Sequence, residues 1–239
     1  MHGTGIGAAS ARELAAQGAT VVVSYRSNNA AAETLAQSIR AAGGQIVLYQ
    51  SDAHDADQVQ ELVQRTYEIA GHIDMLVHSV PSRGLIKPFL TFTWDEFILG
   101  IDTEMKSAYE TARAVLPLMR QQHSGHLVYV TSDWAKHPSI EGLTSLTPAF
   151  AALVGWVKVL AKECGRDGIT VNTVAPGMVD TDLSSQMPPQ VRQQITAMTP
   201  LGRIATPEDI AQVIAFLASD ASGFMTGTYV PVSGGLTMD

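Results

Sequence analysis

The sequence has little of what several classes of protein require. Its single cysteine, Cys164, cannot form an intrachain disulfide, so a reducing cytoplasmic compartment is the simplest expectation. Lysine and arginine number 15 against 23 acidic residues, which disfavours the clustered positive charge of a nucleic-acid or anionic membrane surface. The longest apolar stretch, Ala149 to Ala161, is interrupted by Lys158 and is too short to span a bilayer. The start of the chain lacks the basic and apolar segments of a secretory signal. We therefore expect chemistry on a small molecule.

What the chain does have is a regular alternation of β-rich apolar runs and helical patterns, without a linker between them. This alternation predicts one α/β domain over residues 1–239, with a doubly wound, Rossmann-like parallel sheet in a three-layer α/β/α sandwich. The predicted strands are Thr20 to Tyr25, Ile46 to Gln50, Met75 to Ser79, His126 to Ser132, Thr170 to Val174 and Tyr229 to Val232. The predicted helices are Ala8 to Gln17, Ala30 to Ala42, Ala56 to Ala70, Trp94 to Gln122, Pro148 to Cys164 and Pro207 to Ser219.

The beginning of the sequence departs from this alternation. The segment Gly3-Thr4-Gly5-Ile6-Gly7 runs directly into a helix, whereas a glycine-rich turn of this kind normally follows a buried strand. The first strand of a doubly wound sheet lies near its middle, so we expect a vacancy or a substitute at that place. A start upstream of Met1, another segment that fills the gap, and a true truncation all remain open.

Several short motifs follow one another in a characteristic order. They are Gly5-Ile6-Gly7-Ala8-Ala9, Asp52, Asn172 to Gly177, Pro200 to Arg203, Pro207 to Ile210, Phe216 to Asp220, Thr226-Gly227 and Gly234-Gly235. Together they resemble the short-chain dehydrogenase/reductase family over almost the whole chain. The resemblance implies a nicotinamide dinucleotide at the carboxyl end of the sheet and a small carbonyl or hydroxyl substrate.

The resemblance also implies a set of cofactor-binding residues. Glycines suit a turn in which the backbone approaches a pyrophosphate at a helix N-terminus. Arg26 and Ser27 resemble the pattern that accepts the extra phosphate of NADP(H), and Asp52 resembles the aspartate that meets the adenine ring. Asp52 could instead cap the next helix. Pro81, where the family has a glycine, weakens the match. The expected cofactor residues are Gly5, Ile6, Gly7, Arg26, Ser27, Asp52, Pro176, Gly177 and Thr181.

The family's catalytic residues are only partly matched. Ser132 fits the serine that orients the substrate carbonyl, but Leu146 and Phe150 fall where the family has its acid/base tyrosine and its lysine. Neither side chain can exchange a proton. Pro148, with Thr147 as its N-cap, predicts that the helix begins late.

Other titratable groups are predicted to lie near the mouth of the same crevice. Glu104 falls at the position of the family's relay asparagine, and Asp133 and His137 follow Ser132 along the chain. Together with His78 they could move a proton without a tyrosine. We take Ser132, Glu104, Asp133 and His137 as the candidate catalytic residues, and no His, Cys and Asp set has the spacing of a metal site.

Three functions remain open at this point. The first is an NADP(H)-linked oxidoreductase with little ordinary ketoreductase activity. The second is a cofactor-independent lyase, dehydratase, isomerase or cyclase, and the third is a non-catalytic partner subunit. The substrate is not readable, because the region from Asp182 to Thr199 resembles a mobile lid without diagnostic polar residues. The apolar helices from Trp94 and from Pro148 predict a homodimer or homotetramer.

Overall fold

The computed structural model describes residues 5–185 and 187–238. Strands and helices alternate through these ranges, as the apolar pattern predicts. The strands are β1 (Thr20–Tyr25), β2 (Gln45–Gln50), β3 (Met75–His78), β4 (Gly125–Val130), β5 (Ile169–Pro176) and β6 (Tyr229–Val232). The helices are α1 (Ile6–Ala16), α2 (Asn29–Ala41), α3 (Ala56–Ala70), α4 (Trp94–Gln122), α5 (Leu146–Cys164), α6 (Asp182–Ser185), α7 (Pro189–Met198) and α8 (Pro207–Leu217).

All strand pairs are parallel, and the strands form two sheets rather than one. One sheet has the order β1-β2 and the other the order β3-β4-β5-β6. The middle residues of β1 and β3 are only half-buried, whereas every residue of β5 is buried. In the described part of the chain, no strand joins β1 to β3. The interruption therefore lies where the glycine-rich start of the sequence predicts it.

Helices cover both faces of the strands, which confirms the three-layer α/β/α architecture. Alternate residues of β4 face opposite layers: Leu127 and Tyr129 pack with α3, α4 and α5, and Val128 packs with α1 and α8. Val21 of β1 contacts the cluster beneath α1 and α8 and also the cluster beneath α1 and α2. The apolar core is thus continuous across the gap between the sheets, and α1 bridges them.

The start of α5 corrects one expectation. The helix begins at Leu146 with Ser145 as its N-cap, two residues before Pro148, and the N–H of Thr147 donates to the carbonyl of Leu143. The prediction that Thr147 caps a helix beginning at Pro148 was wrong. Proline is tolerated here because the first four N–H groups of a helix have no partner within the helix. Leu146 therefore already lies in the first turn.

The region expected to be a lid, 182–199, contains the short helices α6 and α7. Pro188 and Pro189 stand at the start of α7, where proline's fixed φ suits the helix. The sequence analysis predicted neither helix. Their short apolar patterns are weak, and α7 buries none of its residues.

Candidate active site

The candidate residues lie at the carboxyl ends of β3, β4 and β5 and beside the N-terminus of α1, where the fold predicts a ligand crevice. Gly5 is the N-cap of α1 in an extended conformation, so the first N–H groups of the helix point outward without a side-chain cap. A Cβ built on Gly7 would lie 3.5 Å from Oγ of Ser79, which follows β3. Ile6, between the two glycines, packs into the core beneath α1. The distance at Gly7 is an ordinary contact, so it is the uncapped N-terminus of α1 that fits a turn that accepts a phosphate.

The residues expected to distinguish NADP(H) from NAD(H) follow β1. Arg26 and Ser27 are both exposed, and the carbonyl of Arg26 accepts a hydrogen bond of 3.0 Å from the side-chain amide of Gln50. This bond anchors the turn to the end of β2. The Arg26 side chain is left on the surface just after the carboxyl end of β1.

Asp52 lies at the next strand end and is already engaged within the protein. Its carboxylate accepts hydrogen bonds from the backbone N–H of His54 at 3.0 Å and from His54 Nδ1 at 2.8 Å. It also pairs with Arg83 Nη2 at 3.4 Å. The His54 hydrogen bonds, with Arg83, hold the pKa of Asp52 at about 2. The alternative that Asp52 caps the following helix was wrong, because the N-cap of α3 is Asp55.

Ser132, which is half-buried, and Asp133, which is buried, follow β4 and are joined by a hydrogen bond. Ser132 Oγ accepts the backbone N–H of Trp134 at 3.2 Å and donates to Asp133 Oδ1 at 3.3 Å. Asp133 is 3% exposed, and burial raises the pKa of its carboxyl to about 6 although Ser132 and His137 oppose the shift. The backbone N–H of His137 donates to the carbonyl of Asp133 at 2.9 Å. The structure thus brings Ser132, Asp133 and His137 together.

The neighbouring backbone of β5 closes this group from one side. A Cβ built on Gly177 would lie 3.6 Å from Asp133 Oδ2 and 3.1 Å from Ser233, which leaves little room for a side chain. Pro176 ends β5 and is buried, and the N–H of Gly177 donates to the carbonyl of Val232. Thr181 exchanges hydrogen bonds with Ser184 at the start of α6.

Glu104 belongs to a second buried group, between α4 and the segment after β3. Its side chain is 4% exposed, and burial raises the pKa of the carboxyl to about 7, with a hydrogen bond from Ser82 opposing the shift. His78 lies behind it, with Nε2 3.3 Å from Ser107 Oγ and Nδ1 3.3 Å from Thr111 Oγ1. Burial lowers the pKa of His78 to about 3, so the imidazole is neutral at physiological pH.

The raised pKa of Glu104 predicts a pH-dependent stability. The folded protein binds this proton more tightly than the unfolded chain does, so the favourable contribution is complete below pH 4.5 and is lost as pH rises towards 7. The wild type should therefore lose up to about 3 kcal/mol of unfolding free energy between pH 4.5 and pH 8 through this group. In Glu104→Gln this contribution to the loss should be absent, so the variant's unfolding free energy should depend less on pH. Urea unfolding at both pH values measures this difference. The control is Glu141→Gln at an exposed position, and equal changes for the two variants would contradict the prediction.

Leu146 and Phe150, which the sequence analysis predicts at the positions of the family's tyrosine and lysine, are apolar residues in the first two turns of α5. Leu146 is 6% exposed, and a Cβ built on Gly84 would come within 2.5 Å of its Cδ2 atom. Leu146 is thus packed beneath the segment that follows β3. Phe150, one turn later on α5, is half-buried. These side chains provide neither a proton nor a positive charge.

Sequence reasoning missed residues whose role depends on folding. Arg83 and Ser82 lie in the segment after β3 and contact Asp52 and Glu104 respectively. Trp134 supplies its backbone N–H to Ser132. No short sequence pattern shows where the loop after β3 folds back.

Neither a metal site nor a membrane span is found among the described residues. Within residues 5–185 and 187–238, no group of three or more His, Cys, Asp or Glu side chains could hold a metal ion. Over the same ranges, no helix is both long enough and apolar enough to cross a membrane.

Comparisons with known proteins agree with the fold. The family model described as enoyl-(acyl carrier protein) reductase matches residues 2–237. The 3-oxoacyl-[acyl-carrier-protein] reductase of Synechocystis is 34% identical over 237 residues, covering 98% of this chain and 93% of that protein. The FabG protein of the same name from Thermotoga maritima is 32% identical over 237 residues, covering 98% and 94%.

Solved structures give the same result. A mutant short-chain dehydrogenase/reductase from Serratia marcescens superimposes with a TM-score of 0.91 at 27% identity, covering 99% of this chain and 95% of that one. A dehydrogenase/reductase from Sinorhizobium meliloti gives a TM-score of 0.90 at 29% identity, covering 99% and 92%. The ordered motifs, the parallel α/β fold and these matches together show that the chain belongs to the short-chain dehydrogenase/reductase family of oxidoreductases.

Proposed function

We propose that this protein is an NADP(H)-linked oxidoreductase for the carbonyl or hydroxyl group of a small substrate, in which a buried carboxylic acid replaces the usual tyrosine. The observation that carries this proposal is the contact between Ser132 Oγ and the buried carboxyl of Asp133. The names of the relatives make a 3-oxoacyl thioester the first substrate to test.

The chain's own residues fit a dinucleotide in outline. The uncapped N-terminus of α1 suits the pyrophosphate, and the exposed guanidinium of Arg26 suits a 2′-phosphate. The close approach of Gly177 to Ser233 and Asp133 keeps the other end of the crevice narrow. When bound, NADPH would supply the hydride for a carbonyl carbon.

The Ser132–Asp133 pair supports delivery of the proton. When Asp133 is protonated, its O–H can donate to Ser132 Oγ, and the serine hydroxyl is then free to donate to a substrate oxygen. The substrate oxygen gains the serine proton, and the serine regains one from Asp133. A carboxyl pKa of about 6 leaves a usable protonated fraction near neutral pH. In this route the proton passes from a carboxyl through Ser132 and does not come directly from a tyrosine phenol. We therefore expect slow turnover of ordinary ketones.

A fluorescence titration of the purified protein with NADPH tests the cofactor half of the proposal. We expect saturable binding of NADPH. Arg26→Gln should weaken the affinity for NADPH by about tenfold or more, because a charge-assisted hydrogen bond to phosphate contributes about 1.5–3 kcal/mol. The affinity for NADH should be nearly unchanged. NADH is thus the internal control. Absence of binding at millimolar NADPH would contradict the proposal.

Two buried carboxyls with raised pKa values, Glu104 and Asp133, favour a second candidate. Such groups can act as general acid and base in a cofactor-independent lyase, dehydratase, isomerase or cyclase. This function, or that of a non-catalytic partner subunit, becomes the better proposal if the NADPH titration fails.

We further propose that the protein is a homodimer or homotetramer. Large apolar side chains are exposed on α4 and α5, namely Trp94, Leu99, Tyr109 and Val159. Association would remove this area from water, at a gain of about 25 cal/mol per Å² of apolar surface. We expect light scattering at micromolar protein to give the mass of at least a dimer. A mass of 25.5 kDa would contradict this.

A further inference from the structure

The segment between β3 and α4 contacts the end of β2, the start of α5 and the first turn of α4, and we name its residues 80–87 the strap. Its first attachment reaches the neighbouring sheet. Arg83 Nη2 lies 3.4 Å from Asp52 Oδ2, although the two residues are 31 positions apart. Because Asp52 follows β2 and Arg83 follows β3, this ion pair connects the two-stranded sheet with the four-stranded sheet on the crevice side.

The second attachment joins the strap to α5 and to the turn before it. Gly84 lies directly on Leu146, so closely that a Cβ at this position would displace the leucine side chain. Ser145 Oγ donates to the carbonyl of Leu85 at 3.3 Å. The N–H of Lys87 donates to the carbonyl of Gly142 at 3.2 Å. These contacts lie at the start of α5, where the family has its tyrosine.

The third attachment is to α4. Lys87 Nζ pairs with Glu96 at 2.6 Å, and Ser82 contacts the carboxyl of Glu104. Four of the strap's residues are therefore held by polar contacts, Ser82, Arg83, Leu85 and Lys87. Gly84, between them, is held by packing. The Arg83 contact differs from the others because its partner is a residue that the family resemblance assigns to the cofactor.

We propose that the strap closes the adenosine end of the crevice in the ligand-free protein, and that the bound nucleotide takes the place of Arg83 at Asp52. This inference rests on the proposed function only for the identity of the nucleotide. Arg83 is then a positioning residue whose ion pair competes with ligand binding, while Leu146 and Gly142 keep the far end of the strap attached.

The strength of the Arg83 contact sets the expected effect. Both side chains are partly exposed, 39% for Arg83 and 31% for Asp52, and ion pairs of this kind are weak. Loss of the pair should therefore change an equilibrium by only about two- to fivefold. This makes the contact easily reversible, as a competing ligand requires.

The test compares Arg83→Gln with the wild type and with Arg65→Gln, which removes the same charge from a surface ion pair on α3. The first readout is hydrogen exchange of the strap amides in ligand-free protein. The second is the dissociation constant of adenosine 2′,5′-bisphosphate, which carries only the adenosine half of NADP(H). We expect Arg83→Gln to raise the hydrogen-exchange rate of the strap amides by about two- to fivefold and to lower the dissociation constant of the nucleotide by the same factor. Arg65→Gln should change neither quantity.

The outcomes separate the two proposals. If strap exchange rises but no variant binds the nucleotide or NADPH, the strap is supported and the proposed cofactor is not. Unchanged exchange in Arg83→Gln overturns the strap whatever the nucleotide does. Weaker nucleotide binding by Arg83→Gln also overturns it, because Arg83 would then contact the ligand instead of competing with it.

Discussion

With acetoacetyl-CoA and NADPH, the unmodified protein is expected to turn over about 10²- to 10⁴-fold more slowly than its Synechocystis relative, the range that general acid/base catalysis supplies. We propose that Leu146 and Phe150 stand at the positions of the family's tyrosine and lysine, and neither side chain exchanges a proton or carries charge. Single-turnover absorbance of NADPH at high enzyme concentration measures the rate. Turnover comparable to that of the relative would contradict the prediction.

Restoring the family residues tests the same point in reverse. Leu146→Tyr combined with Phe150→Lys should recover little activity, because Leu146 is packed against Gly84 and a larger phenol has no open path into the crevice. Since α5 already begins at Leu146, replacement of Pro148 should not change this. Full recovery by the double variant alone would show that the strap moves aside readily.

The second large effect is expected at Asp133. Asp133→Asn keeps the size of the side chain but cannot release a proton, so the residual reduction rate should fall by about 10²-fold or more. Ser132→Ala should have a similar effect, because it removes the group between Asp133 and the substrate. The wild-type rate should also decline as pH rises above about 6, where Asp133 loses its proton, and the decline should be absent in Asp133→Asn.

Two controls distinguish a loss of catalysis in Asp133→Asn from a loss of folding. Asp74→Asn removes a carboxylate from an exposed pair with His72, far from the crevice, and should leave both rate and pH profile unchanged. The melting temperature of Asp133→Asn should remain close to that of the wild type. An Asp133→Asn protein with the wild-type rate and pH profile would remove Asp133 from the mechanism.

Much of the fold was predictable because its signals are local. The bounds of α4 follow from a capping box between Thr93 and Glu96 at one end and from His123 in the left-handed conformation at the other. The bounds of α3 follow from Asp55 and Gly71 in the same way. The separation of the strands into two sheets agrees with the glycine-rich turn before α1, which does not follow a β-rich run in the given sequence.

The positions of the candidate residues in the fold were predictable from the sequence, and their electrostatic environments were not. The sequence by itself determined that Ser132, Asp133 and Glu104 lie at strand ends or on the helix beside them, since alternation and motif order place those residues at one edge of a parallel sheet. Only the tertiary structure decided that Asp133 and Glu104 have raised pKa values, that Asp52 is held by Arg83, and that Leu146 lies beneath Gly84. Each of these depends on desolvation or on contact between segments distant in the chain, and both arise only when the layers pack together.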